Sequence, residues 1–237
     1  MNSRAYKKSS VEVIKLNHLA IIMDGNRRWA KKHKLKSNLG HKEGINNAIS
    51  LLKKINNEES IKLKYITLYV FAVNNWKRPR LEINALFNFL RQTYIRFENL
   101  SLNENFRIKH FGSNKKLPKS IKKIINDVQS KTKQNTGIQI NLAFNYSARD
   151  EIIEAVKQIV INKKNVNKLE TYLYSKGIPD PDLIIRTGGE IRMSDFLLWQ
   201  SAYSELIFTK KLWPDFKFTH LKISLLNYLK RKRNYGK

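Results

Sequence analysis

The fold of this chain is decided by the stretch His18-Leu-Ala-Ile-Ile-Met-Asp-Gly-Asn-Arg-Arg-Trp29, in which an apolar run ends in a carboxylate, a glycine and two arginines. An apolar run of this length, ended abruptly by polar residues, is typical of a strand buried on both faces of a parallel sheet. Downstream, Ile45, Ile49 and Leu52 recur at helical spacing, and a second apolar run follows at residues 66–73. This strand–helix–strand alternation predicts an α/β fold with a mostly parallel central sheet flanked by helices.

The same alternation continues to the end of the chain. Strands are predicted over residues 18–23, 65–73, 106–111, 137–145, 183–186 and 206–208. Helices are predicted over 41–58, 81–100, from Pro118 onward, and over 147–160, 166–175 and 218–232, with a helical turn at 196–202. No repeat or low-complexity linker divides the sequence, so residues 18–237 are expected to form a single domain after a flexible N-terminal extension, residues 1–17.

The composition is strongly basic. The 237 residues include 46 lysines and arginines against 19 acidic residues, a net charge of +27, which favours an anionic partner such as nucleic acid, a membrane surface or a phosphorylated substrate. The lysine doublets are scattered along the chain, so most of this charge is interpreted as compositional bias on solvated faces. The densest cluster, Lys230-Arg-Lys-Arg233, fits either a solvated end or a contact with phosphate head groups.

The sequence contains no cysteine, which excludes a disulfide framework, a cysteine nucleophile and a thiolate metal site. It has no secretory signal at its start and no apolar run long enough to span a bilayer, so a cytoplasmic protein is expected.

Polar residues follow three of the predicted strands. In a parallel sheet, ligand-binding and catalytic residues usually lie at these carboxyl ends of the strands. Asp24 with Arg27 and Arg28 offers an oxygen to a metal ion and nitrogens to a phosphate, although an N-cap with surface arginines explains the same residues. The segment from Arg186 to Ser194 offers guanidinium groups and a hydroxyl to a diphosphate, or is simply a turn with exposed arginines.

The middle segment carries Asn75, Trp76, Arg78 and Glu82. An aromatic ring and an amide at a strand end favour a lid over an apolar substrate, and Trp76 as a packed loop anchor is the alternative. His41 begins a predicted helix, and on the residues alone it is interpreted as a capping or packing residue.

Taken together, these segments resemble the cis-prenyltransferases, and specifically the undecaprenyl diphosphate synthase family. The resemblance is carried by motifs in the family's order and spacing, over residues 18 to 216. They are His18–Ala30, Gly40-His-Lys-Glu-Gly44, Asn75-Trp-Lys-Arg-Pro79 with Glu82, Asn145-Tyr146 with Arg149, Pro179–Glu190, Arg192 with Ser194, Phe196-Leu-Leu-Trp-Gln200, Ala202-Tyr-Ser-Glu205 and Leu212-Trp-Pro-Asp-Phe216.

The resemblance implies a Mg²⁺-dependent enzyme that adds isopentenyl diphosphate repeatedly to farnesyl diphosphate with cis double bonds. The implied product is a long polyprenyl diphosphate, undecaprenyl diphosphate, which is the precursor of the cell-wall carrier lipid. It also implies a homodimer and an apolar tunnel, with peripheral membrane contact at product release and no role for nucleic acid. Val70, Leu86, Phe89, Ile140 and Leu142 are candidate tunnel residues, and each is equally an ordinary core residue.

The resemblance also implies residue roles. Asp24 and Asn75 match the catalytic residues, Asn75 as proton acceptor, and Asp24 with Glu205 match the magnesium ligands. The substrate-binding positions comprise the allylic diphosphate cradle, the loop over the substrates and the isopentenyl diphosphate site: Gly25, Asn26, Arg27, Arg28, Trp29, Ser37, His41, Ala72, Val73, Asn74, Trp76, Arg78, Arg186, Arg192, Met193 and Ser194.

Three positions depart from the family pattern. Ser37 stands where arginine is usual, so a phosphate contact is lost or is taken over by Lys34 or Lys36. The residues 72–74 lack the hydroxyl and carboxylate that usually precede Asn-Trp, and Asp195 replaces a common asparagine. Two rival interpretations remain: a nucleic-acid-binding domain, suggested by the charge, and a weakly active accessory subunit of a two-chain prenyltransferase.

Overall fold

The computed structural model describes residues 13–231 and confirms a parallel α/β architecture. The strands are β1 Ile14–Lys15, β2 His18–Ile22, β3 Ile61–Lys62, β4 Tyr65–Ala72, β5 Arg107–Phe111, β6 Gln139–Tyr146, β7 Leu183–Arg186 and β8 Glu205–Phe208. The α-helices are α1 Asn26–Lys32, α2 Ser37–Asn56, α3 Arg80–Asn103, α4 Lys119–Lys131, α5 Ala148–Ile161 and α6 Phe218–Leu229, and short 3₁₀ helices cover Val73–Lys77, Val166–Tyr172 and Trp213–Asp215.

Six strands form the central sheet in the order β5-β6-β4-β2-β7-β8, and every neighbouring pair is parallel. All five residues of β2 are buried, as predicted for a central strand covered on both faces. Leu19 and Ile21 enter one core cluster, and Ala20 and Ile22 enter another, because successive strand residues point to opposite faces. The sheet therefore places Asp24, directly after β2, at the middle of its carboxyl edge.

The structure differs from the predicted start of the domain and from the predicted helical turn. The domain was expected to begin at residue 18, but Ile14 and Leu16 are buried in the main core, and β1 pairs with β3. Residues 1–12 lie outside the described part of the chain. The predicted helical turn at 196–202 is a series of turns, because Ser194, Asp195 and Leu197 have φ values of 51°, 64° and 48°, which interrupt a right-handed helix.

Two other elements differ from expectation. Helix α1 was not predicted, since seven residues are too few to show a helical apolar pattern. The segment expected to be a helix over 166–175 is a kinked 3₁₀ helix that ends at Tyr172. Within residues 13–231, no helix combines the length and apolar character that crossing a bilayer requires.

His18 joins three strands of the sheet from a buried position. Its Nδ1–H donates to the Pro179 carbonyl at 2.7 Å, and its Nε2 accepts the Thr67 hydroxyl at 2.7 Å. Asn141 donates to the same Thr67 oxygen at 3.0 Å. This pattern needs the neutral imidazole, and burial lowers the pKa of His18 to about 4.

The lowered pKa of His18 predicts a loss of stability in acid. The unfolded chain takes up the proton near pH 6.5 and the folded chain only near 4, so the contribution of His18 is complete above 6.5 and is lost as the pH falls towards 4. Between pH 7 and pH 5, we expect His18 to account for a loss of about 2 kcal/mol in the free energy of unfolding. Urea unfolding of the wild type and of His18→Gln checks this, because glutamine can donate and accept but does not titrate. Equal pH slopes for the two proteins would refute the assignment.

Candidate active site

Arg186 forms the centre of the site. It ends β7 beside Ile22, the last residue of β2, and is only 5% exposed. Its Nη2 donates to Asp24 Oδ2 at 2.9 Å, and its Nη1 donates to Ser194 Oγ at 2.7 Å and to the Arg192 carbonyl oxygen. The structure therefore brings together four of the predicted site residues. Arg186 uses its guanidinium on protein partners and holds the loop after β7 against Asp24.

A second layer of charges lies outside this buried centre. Arg28 Nη2 lies 3.3 Å from Asp24 Oδ2, while its Nη1 lies 3.3 Å from Glu190 Oε1. Arg192 Nη1 contacts Glu190 Oε2 at 2.5 Å. Glu190 was not predicted as a site residue, although its place between two arginines in the loop was a signal for it. Because both arginine side chains are about half exposed, these ion pairs are weak and an incoming polyanion can replace Glu190.

The loop that carries Ser194 is held in an unusual backbone conformation. Ser194 and Asp195 both have left-handed φ values, which cost energy in residues other than glycine. The Tyr69 hydroxyl donates to the Ser194 carbonyl at 3.2 Å, and Asp195 Oδ1 accepts the Arg149 amide at 3.0 Å. Burial raises the pKa of Tyr69, which keeps its hydroxyl protonated as a donor. Tyr69 was missed at the sequence level, since within β4 it reads as an ordinary strand residue.

A polar cavity of about 600 Å³ opens beside Asp24. It is lined by the predicted cradle residues Gly25, Asn26, Arg27 and Arg28, and also by Met23, Asp24, Lys31, Leu35, Ser37, His41 and Arg78. Four of these side chains are cationic and one is a carboxylate. Lys31 lines the cavity, whereas Lys34 and Lys36, which were expected to take over the contact of the arginine missing at Ser37, do not.

Glu82 organises one wall of this cavity. Its Oε1 lies 3.1 Å from Arg78 Nη1, 3.4 Å from His41 Nε2 and 3.8 Å from Arg27 Nε. Burial, and then the charge of Arg78, lower the pKa of His41. Of the capping or packing role inferred for His41 from the residues alone, capping is wrong, because α2 begins at Ser37; His41 is 9% exposed and lines the cavity wall.

His41 owes its position to two helices that approach closely. A Cβ at Gly40 would lie 2.1 Å from the Asn26 carbonyl oxygen, and one at Gly44 would lie 2.3 Å from Asn26 Oδ1. Only glycine allows α2 to lie this close to α1. The spacing of the two glycines in the Gly40–Gly44 motif therefore fixes Asn26 against the turn of α2 that carries His41.

A second cavity, of about 180 Å³ and almost wholly apolar, lies between the sheet and helices α2, α3 and α4. Met23, Asn26 and His41 line both cavities, so the polar cavity and the apolar one adjoin at these three residues. Of the candidate tunnel residues, Val70, Leu86 and Leu142 line it. The other two, Phe89 and Ile140, do not, because Ile140 is packed in the core below the cavity and Phe89 lies off the face that Leu86 and Leu90 present to it.

The structure places several predicted residues away from both cavities. Trp29 donates its indole N–H to Asp215 Oδ1 at 2.8 Å, so it positions α1 instead of lining the cradle. Trp76 donates to Asn145 Oδ1 at 2.7 Å and packs edge-on against Phe71, so in this structure it is packed as a loop anchor and lines neither cavity.

The neighbours of Trp76 in the Val73–Lys77 helix lie outside both cavities as well. The amide of Asn75 accepts the Ala72 N–H at 3.1 Å, and neither Val73 nor Asn74 lines a cavity. Met193 packs instead against the core cluster that contains Ile22.

Glu205 does not lie with Asp24 within one chain. It begins β8 and is paired with Leu183, at the amino end of the sheet, whereas Arg186 is paired with Phe208. Glu205 and Phe208 are three residues apart along β8, which corresponds to about 10 Å between the two ends of the strand. Glu205 Oε2 instead contacts Arg231 Nη1 at 2.5 Å. The structure therefore does not bring the two predicted magnesium ligands together within one chain.

Gly188 provides a test of this geometry. Its φ is +89°, and a Cβ there would lie 2.7 Å from Arg28 Nη2 and 3.1 Å from the Asp24 backbone. Gly188→Ala should therefore displace Arg28 and Asp24 and weaken the binding of inorganic pyrophosphate by about tenfold, measured by titration calorimetry.

Gly177→Ala is the matched control, because Gly177 has a φ of +76° with nothing within 4 Å of the added Cβ. Both variants should lose about 1 kcal/mol of stability through backbone strain. Equal pyrophosphate affinity in the two variants would show that the packing at Gly188 does not matter to anion binding.

The chain matches known proteins over nearly its whole length. A family model described as "Putative undecaprenyl diphosphate synthase" matches residues 22–236. The chain is 48% identical to an isoprenyl transferase of Clostridium tetani, over 92% of this chain and 88% of that protein. It is 43% identical to an isoprenyl transferase of Treponema denticola, over 93% and 97%.

Two solved structures share the fold. One is lavandulyl diphosphate synthase from Lavandula x intermedia in complex with dimethylallyl diphosphate, with a TM-score of 0.88, 28% identity, and coverage of 94% of this chain and 99% of that one. The other is a probable undecaprenyl diphosphate synthase from Campylobacter jejuni, with a TM-score of 0.78, 31% identity and the same coverage. With the motifs now placed around two joined cavities, the chain belongs to the undecaprenyl diphosphate synthase family of cis-prenyltransferases.

Proposed function

We propose that this prenyltransferase extends farnesyl diphosphate by repeated addition of isopentenyl diphosphate, with cis double bonds, to undecaprenyl diphosphate. The observation that carries the proposal is the junction of the two cavities at Met23, Asn26 and His41. A polar cavity with four cationic side chains suits a diphosphate, and the apolar cavity behind it suits a hydrocarbon chain. The relative solved with dimethylallyl diphosphate shows that the same fold takes an allylic diphosphate.

The allylic diphosphate is proposed to lie against Arg27, Arg28 and Arg78 beside Asp24. Negative charge grows on the diphosphate as its bond to the allylic carbon breaks, and positive charges placed there in advance lower the barrier. The allylic carbon then lies at the junction near Asn26. The apolar wall excludes water, which would otherwise capture the carbocation-like centre.

Isopentenyl diphosphate is proposed to bind on the other side of Asp24, at Arg192 and Ser194. The half-exposed Arg192 can exchange its pairing with Glu190 for a phosphate oxygen. Arg186 then acts by holding Ser194 in place, and this role follows from its three protein contacts. The proton lost on each addition is proposed to go to Asn75, which requires the Val73–Lys77 helix to move because Asn75 lines neither cavity.

Magnesium fits the carboxylate of Asp24. Both arginine contacts go to Oδ2, and Oδ1 accepts no hydrogen bond from residues 13–231. Mg²⁺ commonly uses one or two carboxylates together with substrate phosphates and water, so one free carboxylate oxygen beside a diphosphate site is a suitable first protein ligand. The ion would neutralise charge on the diphosphate. Asp24 would orient it, and Arg28 would keep Asp24 in place.

The apolar character of the product is the reason for the proposed location at the membrane surface. At about 0.8 kcal/mol per buried CH₂, a long polyprenyl chain strongly prefers an apolar environment to water. We therefore propose a cytoplasmic enzyme that contacts the inner membrane surface when it releases the carrier-lipid precursor used in cell-wall synthesis. A nucleic-acid-binding role is less favoured, because Asp24 and Glu190 lie among the arginines and would repel phosphates that arrive without a metal ion.

The direct test is incubation with labelled isopentenyl diphosphate, farnesyl diphosphate and Mg²⁺, followed by chromatography of the lipid. The wild type should form long polyprenyl products. Asp24→Asn should lower turnover on the order of 100-fold or more while the fold survives, because the amide keeps the shape and loses the charge. Asp150→Asn, an exposed carboxylate in the first turn of α5, is the control and should leave turnover unchanged. Near-normal turnover in Asp24→Asn would contradict the assignment.

A homodimer is the second part of the proposal. Strand β8 is an edge of the sheet, and apolar side chains are exposed near it and along α5, including Trp199 at 45%, Tyr203 at 72% and Val160 at 69%. Exposed apolar surface beside an open strand edge is typical of an interface.

A two-fold axis at β8 would bring Glu205 back into the site. This axis would place the β8 strands of the two subunits antiparallel, so that the first residue of each strand lies opposite the last residue of its partner strand. The end of β8 lies beside the loop of the site, since Gly188 N–H donates to the Lys211 carbonyl at 2.7 Å. The partner subunit's Glu205 would then approach this chain's Asp24 as a ligand of the same magnesium ion.

Subunit mixing tests the shared site. Asp24→Asn and Glu205→Gln homodimers should each be nearly inactive, while co-expression should restore about a quarter of the wild-type activity through mixed dimers with one complete site. Sedimentation measures the dimer, and differently tagged subunits allow the mixed species to be purified. Full activity of Glu205→Gln, or purified mixed dimers with no activity, would exclude Glu205 as a ligand supplied across the interface.

A further inference from the structure

The outer side of helix α3 combines exposed apolar side chains with positive charge. Leu81, Ile95 and Leu102 are 84%, 64% and 42% exposed. They are fourteen and seven residues apart along the chain, and residues seven apart lie on nearly the same side of a helix. Arg91, which lies one turn before Ile95, and Arg96, which follows it directly, are exposed as well.

Helix α4 continues this positive surface. Arg91 Nη1 donates to Ser120 Oγ at 3.2 Å, so the first turn of α4 lies beside the middle of α3. Lys119 and Lys123, one turn apart at the start of α4, are both exposed. We call the surface formed by these two lysines and the five exposed residues of α3 the α3–α4 face.

The charge of this part of the chain is one-sided. Residues 77–126 contain twelve lysines and arginines against three glutamates. The glutamate side chains are at most 14% exposed and each is paired with a cation, as found for Glu82, Glu98 and Glu104. Arg91 and Arg96 donate only to neutral side chains, and within residues 13–231 neither pairs with a carboxylate. The positive charge of the α3–α4 face is therefore left for an external anion.

The α3–α4 face covers one wall of the apolar cavity. Residues on the inner sides of both helices line that cavity, among them Leu90, Tyr94, Ile121 and Ile125. An α-helix with its side chains is about 10–12 Å thick. A molecule bound to the outer sides of α3 and α4 would therefore lie about that distance from a hydrocarbon chain in the cavity.

We infer that the α3–α4 face docks on a bilayer surface that contains anionic lipid. Each cation close to such a surface strengthens binding, and exposed leucine and isoleucine side chains insert below the head groups. A nucleic acid would satisfy the same cations but would leave Leu81, Ile95 and Leu102 without an apolar partner. The inference rests on the proposed function for its purpose, the transfer of an apolar product to lipid, and it identifies the surface that meets the membrane.

A single fluorophore locates the docking surface. The chain contains no cysteine, so Ile95→Cys provides one attachment point for an environment-sensitive nitrobenzoxadiazole label. Ile223→Cys is the matched control, since Ile223 is 58% exposed on α6, which packs against α2 and β1. With vesicles of phosphatidylglycerol and phosphatidylcholine, the emission at position 95 should increase and shift to shorter wavelength, and the emission at position 223 should not change.

The contribution of charge is tested by vesicle flotation. Arg91→Gln combined with Arg96→Gln should lower the affinity for these vesicles about tenfold or more. Lys164→Gln combined with Lys168→Gln removes the same charge from exposed positions next to α5, which packs on the other face of the sheet, and should lower it less than about twofold. Thermal unfolding checks that each variant is folded. An equal loss in the two double variants would show that the overall charge, and not this face, drives binding.

The polyprenyl assay on the same labelled proteins separates this inference from the proposed function. Product formation with no change in emission at position 95 overturns the inference alone. Equal changes at positions 95 and 223, or a change at 95 with single-stranded RNA and none with vesicles, also overturns it. A change at position 95 with vesicles, in a protein that forms no polyprenyl product, supports the membrane surface and contradicts the proposed function.

Discussion

The site depends on one buried guanidinium group. Arg186 is nearly inaccessible to solvent, and a charge in such a place is costly unless it is paired and hydrogen-bonded. Here it bridges Asp24, which follows β2, to the carbonyl of Arg192 and the hydroxyl of Ser194 in the loop after β7. Because β2 and β7 are neighbours in register, this bridge is a direct consequence of the sheet order. It fixes Asp24 before any substrate arrives, so little reorganisation is left for the reaction itself.

The second constraint is the close approach of α1 and α2. Because Gly40 and Gly44 lack side chains, Asn26 packs closely against α2, and both Asn26 and His41 lie where the polar and apolar cavities adjoin. A molecule with a charged head and a hydrocarbon tail can therefore occupy both cavities at once. The division of the site into a cationic half and an apolar half reflects the strand ends on one side and three amphipathic helices on the other.

Local patterns predicted the parallel sheet and the polar residues Asp24, Arg27 and Arg28 at its edge, whereas Asn26, Ser37 and His41 of the polar cavity were identified only through the family resemblance. The apolar run before Asp24 identifies a buried strand, and positions after such strands meet at one edge. Side-chain direction was the part that could not be predicted. Trp76 was expected above the substrates and is packed against Phe71, and Glu205 was expected beside Asp24 and lies at the other end of the sheet. A motif fixes the order of residues along the chain, whereas the direction of a side chain depends on tertiary packing.

If Arg186 acts on the reaction by holding Asp24 in place, the two residues are strongly coupled. A double-mutant cycle on kcat/KM, with Arg186→Met, Asp24→Asn and the double variant, measures this coupling. We expect the double variant to be scarcely worse than Asp24→Asn alone, because both changes remove the same arrangement. If the activation free-energy losses of the two single variants add up to the loss of the double variant within about 0.5 kcal/mol, the two residues act independently and Arg186 does not work through Asp24.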